Sequence, residues 1–171
     1  MKKLCFVVAV VMCFVIVFTS GDGVKAVADQ PVPNGYYAVK PKLDSNLQVN
    51  SNLQLGKLAP GYQKFEFYYI PSKESYIINN QYGVESVRWS GSEGVGNLGW
   101  ATRNLDDSNM LWTLEKVSDN QVIIHNKRDS NMVWDVHDYY PNLGAPIKAE
   151  KKHPINSVLL DAQIFILDDE R

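Results

Sequence analysis

Few side chains in this sequence are suited to covalent or acid–base catalysis. Histidine occurs three times, at His125, His137 and His153, and cysteine occurs twice, at Cys5 and Cys13. The sequence Gly-x-Ser-x-Gly, which presents the serine nucleophile in one large class of hydrolases, does not occur. We therefore expect no catalytic residues and no enzymatic activity.

The group formed by His137, Asp138 and His153 has residue types that bind metal ions. Zinc sites usually draw two of their ligands from closely spaced histidines or cysteines, and no His-x3-His pair is present in the sequence. We therefore expect no metal site and no other cofactor.

A glycine-rich stretch at residues 94–99, GVGNLG, matches the pattern G-x-G-x-x-G of dinucleotide-binding proteins. Such a site needs a strand before the glycines and a helix after them, because the helix N-terminus holds the pyrophosphate. Here Trp100 and an acidic turn at residues 106–109 follow, without a helical pattern. The stretch therefore predicts a flexible hairpin loop and not a nucleotide site.

The N-terminus has the three parts of an export signal. Two lysines precede an unbroken apolar run over residues 4–18, and small residues at 26–28 precede Asp29. We predict cleavage after Ala28, or alternatively after Ala26, and secretion of the mature chain. The other interpretation is an uncleaved membrane anchor, but the run is shorter than the ~18 to 20 apolar residues of a spanning helix.

Removal of residues 1–28 changes the chemistry of the chain that remains. Both cysteines are lost, so the mature domain has no disulfide and no thiolate ligand. Three lysines and one aspartate are lost as well, and the formal net charge goes from -2 to -4. With 45% hydrophobic and 21% charged residues, the sequence is typical neither of a disordered chain nor of a polycation. We expect no nucleic-acid binding and no membrane insertion by the mature chain.

The elements that must position any site are short strands. Ten segments of alternating or aromatic-rich sequence have strand length: 36–39, 47–49, 65–70, 76–78, 84–89, 111–117, 122–124, 132–136, 146–149 and 163–167. Clusters of Gly, Pro, Asn and Asp separate them at the close spacing of a barrel or a sandwich. No segment has helical periodicity over more than two turns. The pattern predicts one all-β domain.

Three short strings repeat along the chain: QKFEF at 63–67, MLWTL at 110–114 and QIFIL at 163–167. In each string a long flexible side chain stands two residues before an aromatic ring, and an apolar residue stands two residues after it. Strand alternation places these three positions on one face. We therefore expect Phe65, Trp112 and Phe165 in the core, and three repeated units at about 33–70, 71–117 and 118–171.

The two glutamine-containing strings resemble the Gln-x-Trp/Phe signature of ricin-B-type β-trefoil lectins, and the middle string resembles a degenerate copy. Trp134-Asp135-Val136 is similar to the segment that carries the sugar-binding aspartate of that family. The opening Pro33-Asn34-Gly35-Tyr36-Tyr37 and the run from Trp134 to Phe165 more closely resemble the small hemagglutinin components of clostridial neurotoxin complexes. The resemblance covers residues 33–171 and implies a β-trefoil, in which three units close a barrel that no single unit can form.

The resemblance also implies one carbohydrate site, in the third unit. Its residues are Asp135, His137, Lys148, His153 and Asn156. The carboxylate accepts hydrogen bonds from sugar hydroxyls, and a ring covers the C–H face of the sugar. We expect Asp135 at the mouth of a cavity, partly in contact with water; Glu150 stands where the family commonly has an aromatic ring. The alternative is that Asp135 only caps a turn in a site that has lost its function.

The same register places Gln48 in the first unit and Arg88 in the second, so both units lack the carboxylate. The resemblance implies a lectin for glycans with terminal galactose-like sugars, acting with the protein subunits of a toxin or hemagglutinin assembly. The alternative is a β-trefoil adaptor that joins protein subunits and binds no sugar. A secreted enzyme or protease inhibitor of the same fold is less supported, since no nucleophile and no disulfide-held loop is present.

Overall fold

The computed structural model describes residues 30–59, 63–91 and 96–169. The signal peptide predicted over residues 1–28 lies outside the described residues. The described residues form twelve strands: β1 (Gly35–Pro41), β2 (Leu47–Val49), β3 (Leu55–Lys57), β4 (Phe65–Ile70), β5 (Ser75–Asn79), β6 (Glu85–Trp89), β7 (Gly96–Thr102), β8 (Leu111–Lys116), β9 (Gln121–Asn126), β10 (Met132–Val136), β11 (Ile147–Lys151) and β12 (Phe165–Asp168). Their helices are short 3₁₀ segments at Pro71–Lys73, Ser108–Met110, His137–Tyr139 and Val158–Gln163.

Six of the strands form a closed antiparallel ring. β1 pairs with β4, β4 with β5, β5 with β8, β8 with β9, β9 with β12, and β12 returns to β1. The other six strands form three hairpins, β2–β3, β6–β7 and β10–β11. Each run of four strands thus gives two strands to the barrel and one hairpin between them. This arrangement confirms the all-β, β-trefoil fold expected from the sequence.

Alternation along β4 shows why these segments form barrel strands. Phe65, Phe67 and Tyr69 point inward and are buried, whereas Tyr68 on the opposite face is 43% exposed. Side chains of successive strand residues point to opposite faces, so this sequence buries three rings on one side only. The same alternation makes a one-residue slip of register costly, because it would turn the three rings toward water.

One tryptophan from the third hairpin fills the centre of the barrel. Trp134 of β10 contacts all three of the repeated aromatic residues in edge-to-face geometry, with ring centroids 6.2 Å from Phe65, 5.8 Å from Trp112 and 6.1 Å from Phe165. All four rings are at most 2% exposed, so the prediction that the three repeated aromatics are core residues is confirmed. Since Asp135 follows Trp134 in the strand, this packing also fixes the position of Asp135.

The loop predicted for the glycine-rich stretch is wrong from residue 96 onward. Gly96 begins β7, which pairs with β6 over residues 98–102 and with β11 at Gly96 and Asn97. A Cβ at Gly96 would lie 2.1 Å from Nε1 of Trp89. The glycine is therefore needed so that the buried Trp89 indole can lie against the β7 backbone. Residues 94 and 95 lie outside the described residues.

Candidate functional site

Asp135 is a buried carboxylate on a strand that is buried along its whole length. It is 2% exposed, and every residue of β10 is buried. In the antiparallel pair with β11, Asp135 lies opposite Lys148. The expectation that Asp135 is partly in contact with water is therefore wrong. The reason is tertiary: Gln163, His153 and the turn at residues 138–139 surround the carboxylate, and the strand pattern around Asp135 shows none of these contacts.

Gln163 holds the Asp135 carboxylate in place. Its Nε2 donates to Oδ2 of Asp135 at 2.7 Å and to the carbonyl oxygen of Lys151 at 2.9 Å, while its Oε1 accepts from the His153 amide at 2.8 Å. Gln163 is itself completely buried. These three hydrogen bonds fix the Gln163 amide, which in turn holds Oδ2 of Asp135. The site is therefore pre-organised.

The glutamine of the repeated string therefore has a second role that the sequence reasoning missed. The sequence indicates a family signature and a core strand, with Gln163 on the same face as Phe165, and it gives no sign of a contact between Gln163 and Asp135. In the structure Gln163 ends the Val158–Gln163 3₁₀ segment, and its amide contacts β10 and the chain just after β11. The signal available in the sequence was the recurrence of glutamine at 63 and 163, two residues before a buried ring.

Two histidines extend the polar contacts around the carboxylate, His153 beside Asp135 itself and His137 beside Glu150. Nε2 of His153 is 3.9 Å from Oδ2 of Asp135. Nδ1 of His137 is 2.5 Å from Oε1 of Glu150, and its Nε2 is 3.6 Å from Oδ2 of Asp138. His137 therefore joins two further carboxylates on the rim, and His153 faces Asp135 directly.

The turn after β10 adopts an unusual backbone conformation that brings its side chains over the carboxylate. Asp138 and Tyr139 have φ angles of 63° and 59°, in the left-handed region that few non-glycine residues adopt. Both residues line a cavity of about 280 Å³. The cavity is lined by Asp135, Asp138, Tyr139, Glu150, His153, Leu159 and Ala162. Backbone strain of this kind is often retained where a particular side-chain position is needed.

The electrostatics of this cavity keep Asp135 only partly ionised at neutral pH. Burial, and after it the negative charge of Glu150, raise the pKa of Asp135, whereas the hydrogen bond from Gln163 and the charge of His137 lower it; together these effects place the pKa at about 7. A carboxyl whose pKa is raised in this way lowers the stability of the folded state at neutral pH. Such groups are found more often at functional sites than elsewhere in a fold.

The structure brings together some of the five residues predicted for the site. Asp135 and His153 line the cavity, and His137 reaches its rim through Glu150. Lys148 and Asn156 are not among the described lining residues; Lys148 is half-buried on β11 and Asn156 is exposed. Glu150, which the sequence marked only as the place of a missing ring, lines the cavity.

The corresponding positions of the other two units have different chemistry. Gln48 of β2 is 2% exposed and lies opposite Gly56. Arg88 of β6 lies opposite Gly99, and its Nε donates to Oδ2 of Asp107 at 2.7 Å. Neither position supplies a carboxylate, so the Asp135 arrangement is not repeated at them.

Residues 30–59, 63–91 and 96–169 contain neither a metal-binding cluster nor a membrane-spanning helix. No group of three or more His, Cys, Asp or Glu side chains in these ranges is placed to hold a metal ion. In the same described ranges, no helix has the length and apolar character needed to cross a membrane.

Comparison with known proteins gives likeness in structure only. No protein-family model and no curated protein matches this chain. A mosquitocidal holotoxin superposes with a TM-score of 0.70 at 21% identity, over 82% of this chain but only 18% of the toxin chain. The Rhizoctonia solani agglutinin superposes with a TM-score of 0.65 at 15% identity, covering 81% of this chain and 97% of the agglutinin. The C-half of the earthworm R-type lectin, solved in complex with GalNAc, gives a TM-score of 0.51 at 19% identity and covers 81% of this chain and 100% of its own. At these identities the likeness establishes a shared β-trefoil fold.

Proposed function

We propose that this protein is a secreted, non-enzymatic carbohydrate-binding module that recognises glycans with terminal galactose-like sugars through the Asp135 cavity. The observation that carries the proposal is a buried carboxylate, fixed by Gln163, in a cavity that Tyr139 and His153 also line. The GalNAc complex of the earthworm lectin and the agglutinin from Rhizoctonia solani, both of this fold, support it.

The cavity offers a side chain for each part of sugar recognition. Oδ2 of Asp135 accepts from Gln163, while Oδ1 accepts no hydrogen bond from the described residues and is available to sugar hydroxyls. The Tyr139 ring provides an apolar face for the C–H side of a pyranose. His153 supplies a second polar group 3.9 Å from the carboxylate.

One such cavity gives weak binding, which makes a multi-copy arrangement part of the proposal. A hydrogen bond to a charged group contributes about 1.5–3 kcal/mol. A small cavity with one carboxylate therefore corresponds to roughly millimolar affinity, and binding to a cell surface requires several linked copies. We propose that the chain acts with protein subunits of a toxin or hemagglutinin assembly, as its superposition on part of a holotoxin chain supports.

A glycan array tests the sugar proposal. The mature chain, residues 29–171, is applied both as a monomer and as a streptavidin-linked tetramer, beside the variant Asp135→Asn. The expected result is binding of the tetramer to galactose-terminated glycans and its loss in the variant. Asp119→Asn, the same chemical change on an exposed residue outside the cavity, is the matched control and keeps wild-type binding. Equal binding by folded Asp135→Asn protein refutes the assignment of the site.

A second candidate function is that of an adaptor that joins protein subunits. Large apolar side chains are exposed in the two segments that flank the cavity: Tyr140 at 69%, Leu143 at 58%, Ile155 at 83% and Val158 at 75%. Exposed apolar residues that lie close together are typical of protein contact surfaces. If the wild-type tetramer binds no glycan on the array, the adaptor function replaces the lectin function.

Export is the remaining part of the proposal and rests on the sequence alone. The lysines, the apolar run and the small residues at 26–28 predict a mature chain that begins at Asp29, or at Val27 if cleavage follows Ala26. Intact-mass measurement on protein from the culture medium distinguishes these two ends. Recovery of the full-length chain from the membrane fraction would contradict export with cleavage.

A further inference from the structure

A second cavity, of about 390 Å³, lies where the first repeated unit meets the second. The side chains that matter for its chemistry are Gln63 and Phe65 from the first unit and Asn80, Tyr82, Glu85 and Trp100 from the second. It shares no described lining residue with the Asp135 cavity. Gln48 and Arg88, which stand at the positions corresponding to Asp135 in the first two units, do not line this cavity. It is therefore separate from the sugar-binding position that the family resemblance implies.

Trp100 provides a rigid aromatic wall in this cavity. Its ring is stacked on Phe65, with centroids 5.8 Å apart and planes 17° apart, and its Nε1 donates to the carbonyl oxygen of Ser51 at 2.6 Å. Two residues of the first unit thus hold a ring that belongs to the second unit, and the ring remains partly exposed. A platform that is already ordered loses little side-chain entropy when a ligand stacks on it.

Trp100 differs from the other tryptophans in its exposure. The sequence contains four, and Trp89, Trp112 and Trp134 are at most 2% exposed. Tyr82, on the turn between β5 and β6, adds a second ring that is 76% exposed. Two accessible rings at one cavity, in a domain that buries its other tryptophans, are typical of a surface that binds flat apolar faces.

Two side chains of the cavity, Glu85 and Gln63, offer acceptor atoms to a ligand. The Glu85 carboxylate accepts one weak hydrogen bond, from Nδ2 of Asn80 at 3.3 Å. Oδ1 of Asn80 accepts from the backbone amides of Tyr82 and Val84, which fixes the turn that carries Tyr82. Oε1 of Gln63 is buried without a hydrogen-bond partner, which costs free energy. If the Gln63 side chain turns toward the cavity, a ligand hydroxyl can donate to this oxygen and remove the cost.

These features together point to a neutral ligand with an apolar face and several hydroxyl donors. We propose that this cavity is a second carbohydrate site, in which a pyranose ring stacks on Trp100 and its hydroxyls donate to Glu85 and Gln63. The Glu85 carboxylate disfavours anionic ligands, although Lys64 also lines the cavity. A purely apolar peptide side chain would leave both acceptors unpaired. The site is independent of the function proposed for Asp135.

Nuclear magnetic resonance of the tryptophan indole groups tests the proposal directly. The spectrum of ¹⁵N-labelled mature chain contains four indole signals, and Trp100→Phe assigns the one of interest. Galactose, N-acetylgalactosamine, glucose, N-acetylglucosamine, mannose, fucose and sialic acid are titrated separately. At least one neutral sugar is expected to move the Trp100 signal and to leave those of the three buried tryptophans in place.

Variants separate this site from the Asp135 cavity. The shift persists in Asp135→Asn, and its apparent Kd rises about tenfold or more in the double variant Gln63→Leu/Glu85→Gln, which removes both acceptors. Glu74→Gln, the same change of a carboxylate to an amide on an exposed residue outside the cavity, is the matched control and leaves the Kd unchanged. The proposal is overturned if no neutral sugar of the panel moves the Trp100 signal, if Asp135→Asn abolishes the shift, or if the double variant binds as tightly as the wild type.

Discussion

Replacement of Asp135 by asparagine is expected to stabilise the fold at neutral and alkaline pH. The pKa of Asp135 is about 7 in the folded state, against an ordinary value of 3.8 for an exposed aspartate. Below pH ~4 both the folded and the unfolded chain carry the proton, so the group has no effect on stability. Between pH ~4 and ~7 the unfolded state loses the proton while the folded state keeps it. This difference favours unfolding, and the loss of stability is complete above pH ~7.

The magnitude follows from the size of the pKa shift. Each unit of difference between the folded and unfolded states corresponds to about 1.4 kcal/mol, so a rise from 3.8 to about 7 gives an upper bound of roughly 4 kcal/mol. Asparagine has nearly the same shape, and its Oδ1 can still accept from Nε2 of Gln163. The variant therefore removes the ionisation and keeps the hydrogen bond.

Urea denaturation of wild type and Asp135→Asn at several pH values and constant ionic strength measures this effect. Carboxyl groups common to both proteins cancel in the difference between their free energies of unfolding. That difference is expected to grow in favour of the variant from pH 4 to pH 8, by up to about 4 kcal/mol. A difference that stays constant over this range, or that favours the wild type at pH 8, would refute the buried, high-pKa state of Asp135.

Three other substitutions test features of the same structure. Glu150→Gln removes a negative charge beside Asp135, so the stability profile of the variant should bend at a lower pH than that of the wild type; an unchanged profile would mean that Glu150 does not act on Asp135. Trp134→Ala should cost about 3–5 kcal/mol in urea denaturation, because three aromatic contacts are lost, and a cost below about 1 kcal/mol would contradict its central position. Gly96→Ala should cost about 1–3 kcal/mol by displacing the Trp89 indole, whereas Gly99→Ala, whose Cβ would have no neighbour within 4 Å, serves as its control. Equal costs at the two glycines would argue against the close packing of Trp89.

Local patterns predicted the barrel well because its strands alternate. Phe65, Trp112 and Phe165 were found from the spacing of their neighbours, and all three are buried. The strands β3 and β7 were missed because each contains glycine, which usually marks a turn. Gly96 is required because the Trp89 ring, seven positions earlier, packs against its backbone. The local sequence does not show this contact.

The site was less predictable because its parts come together only in three dimensions. Asp135 was identified, but its burial depends on Gln163, which lies 28 residues later in the chain. The cavity at Trp100 depends on a contact between that ring and Phe65, which belong to different units. No spacing within one unit encodes such a contact, and a search for repeats does not find it.

The pairing of β1 with β12 has a consequence for biosynthesis. Ala38 lies opposite Asp168, so the first and last strands of the described chain close the barrel together. An emerging polypeptide cannot complete this ring until its final strand is available, and until then β1 and β9 each lack a partner strand. Closure at such long sequence separation is also slow. The export proposed above requires an unfolded chain, and a barrel that stays open until β12 has been made meets that requirement.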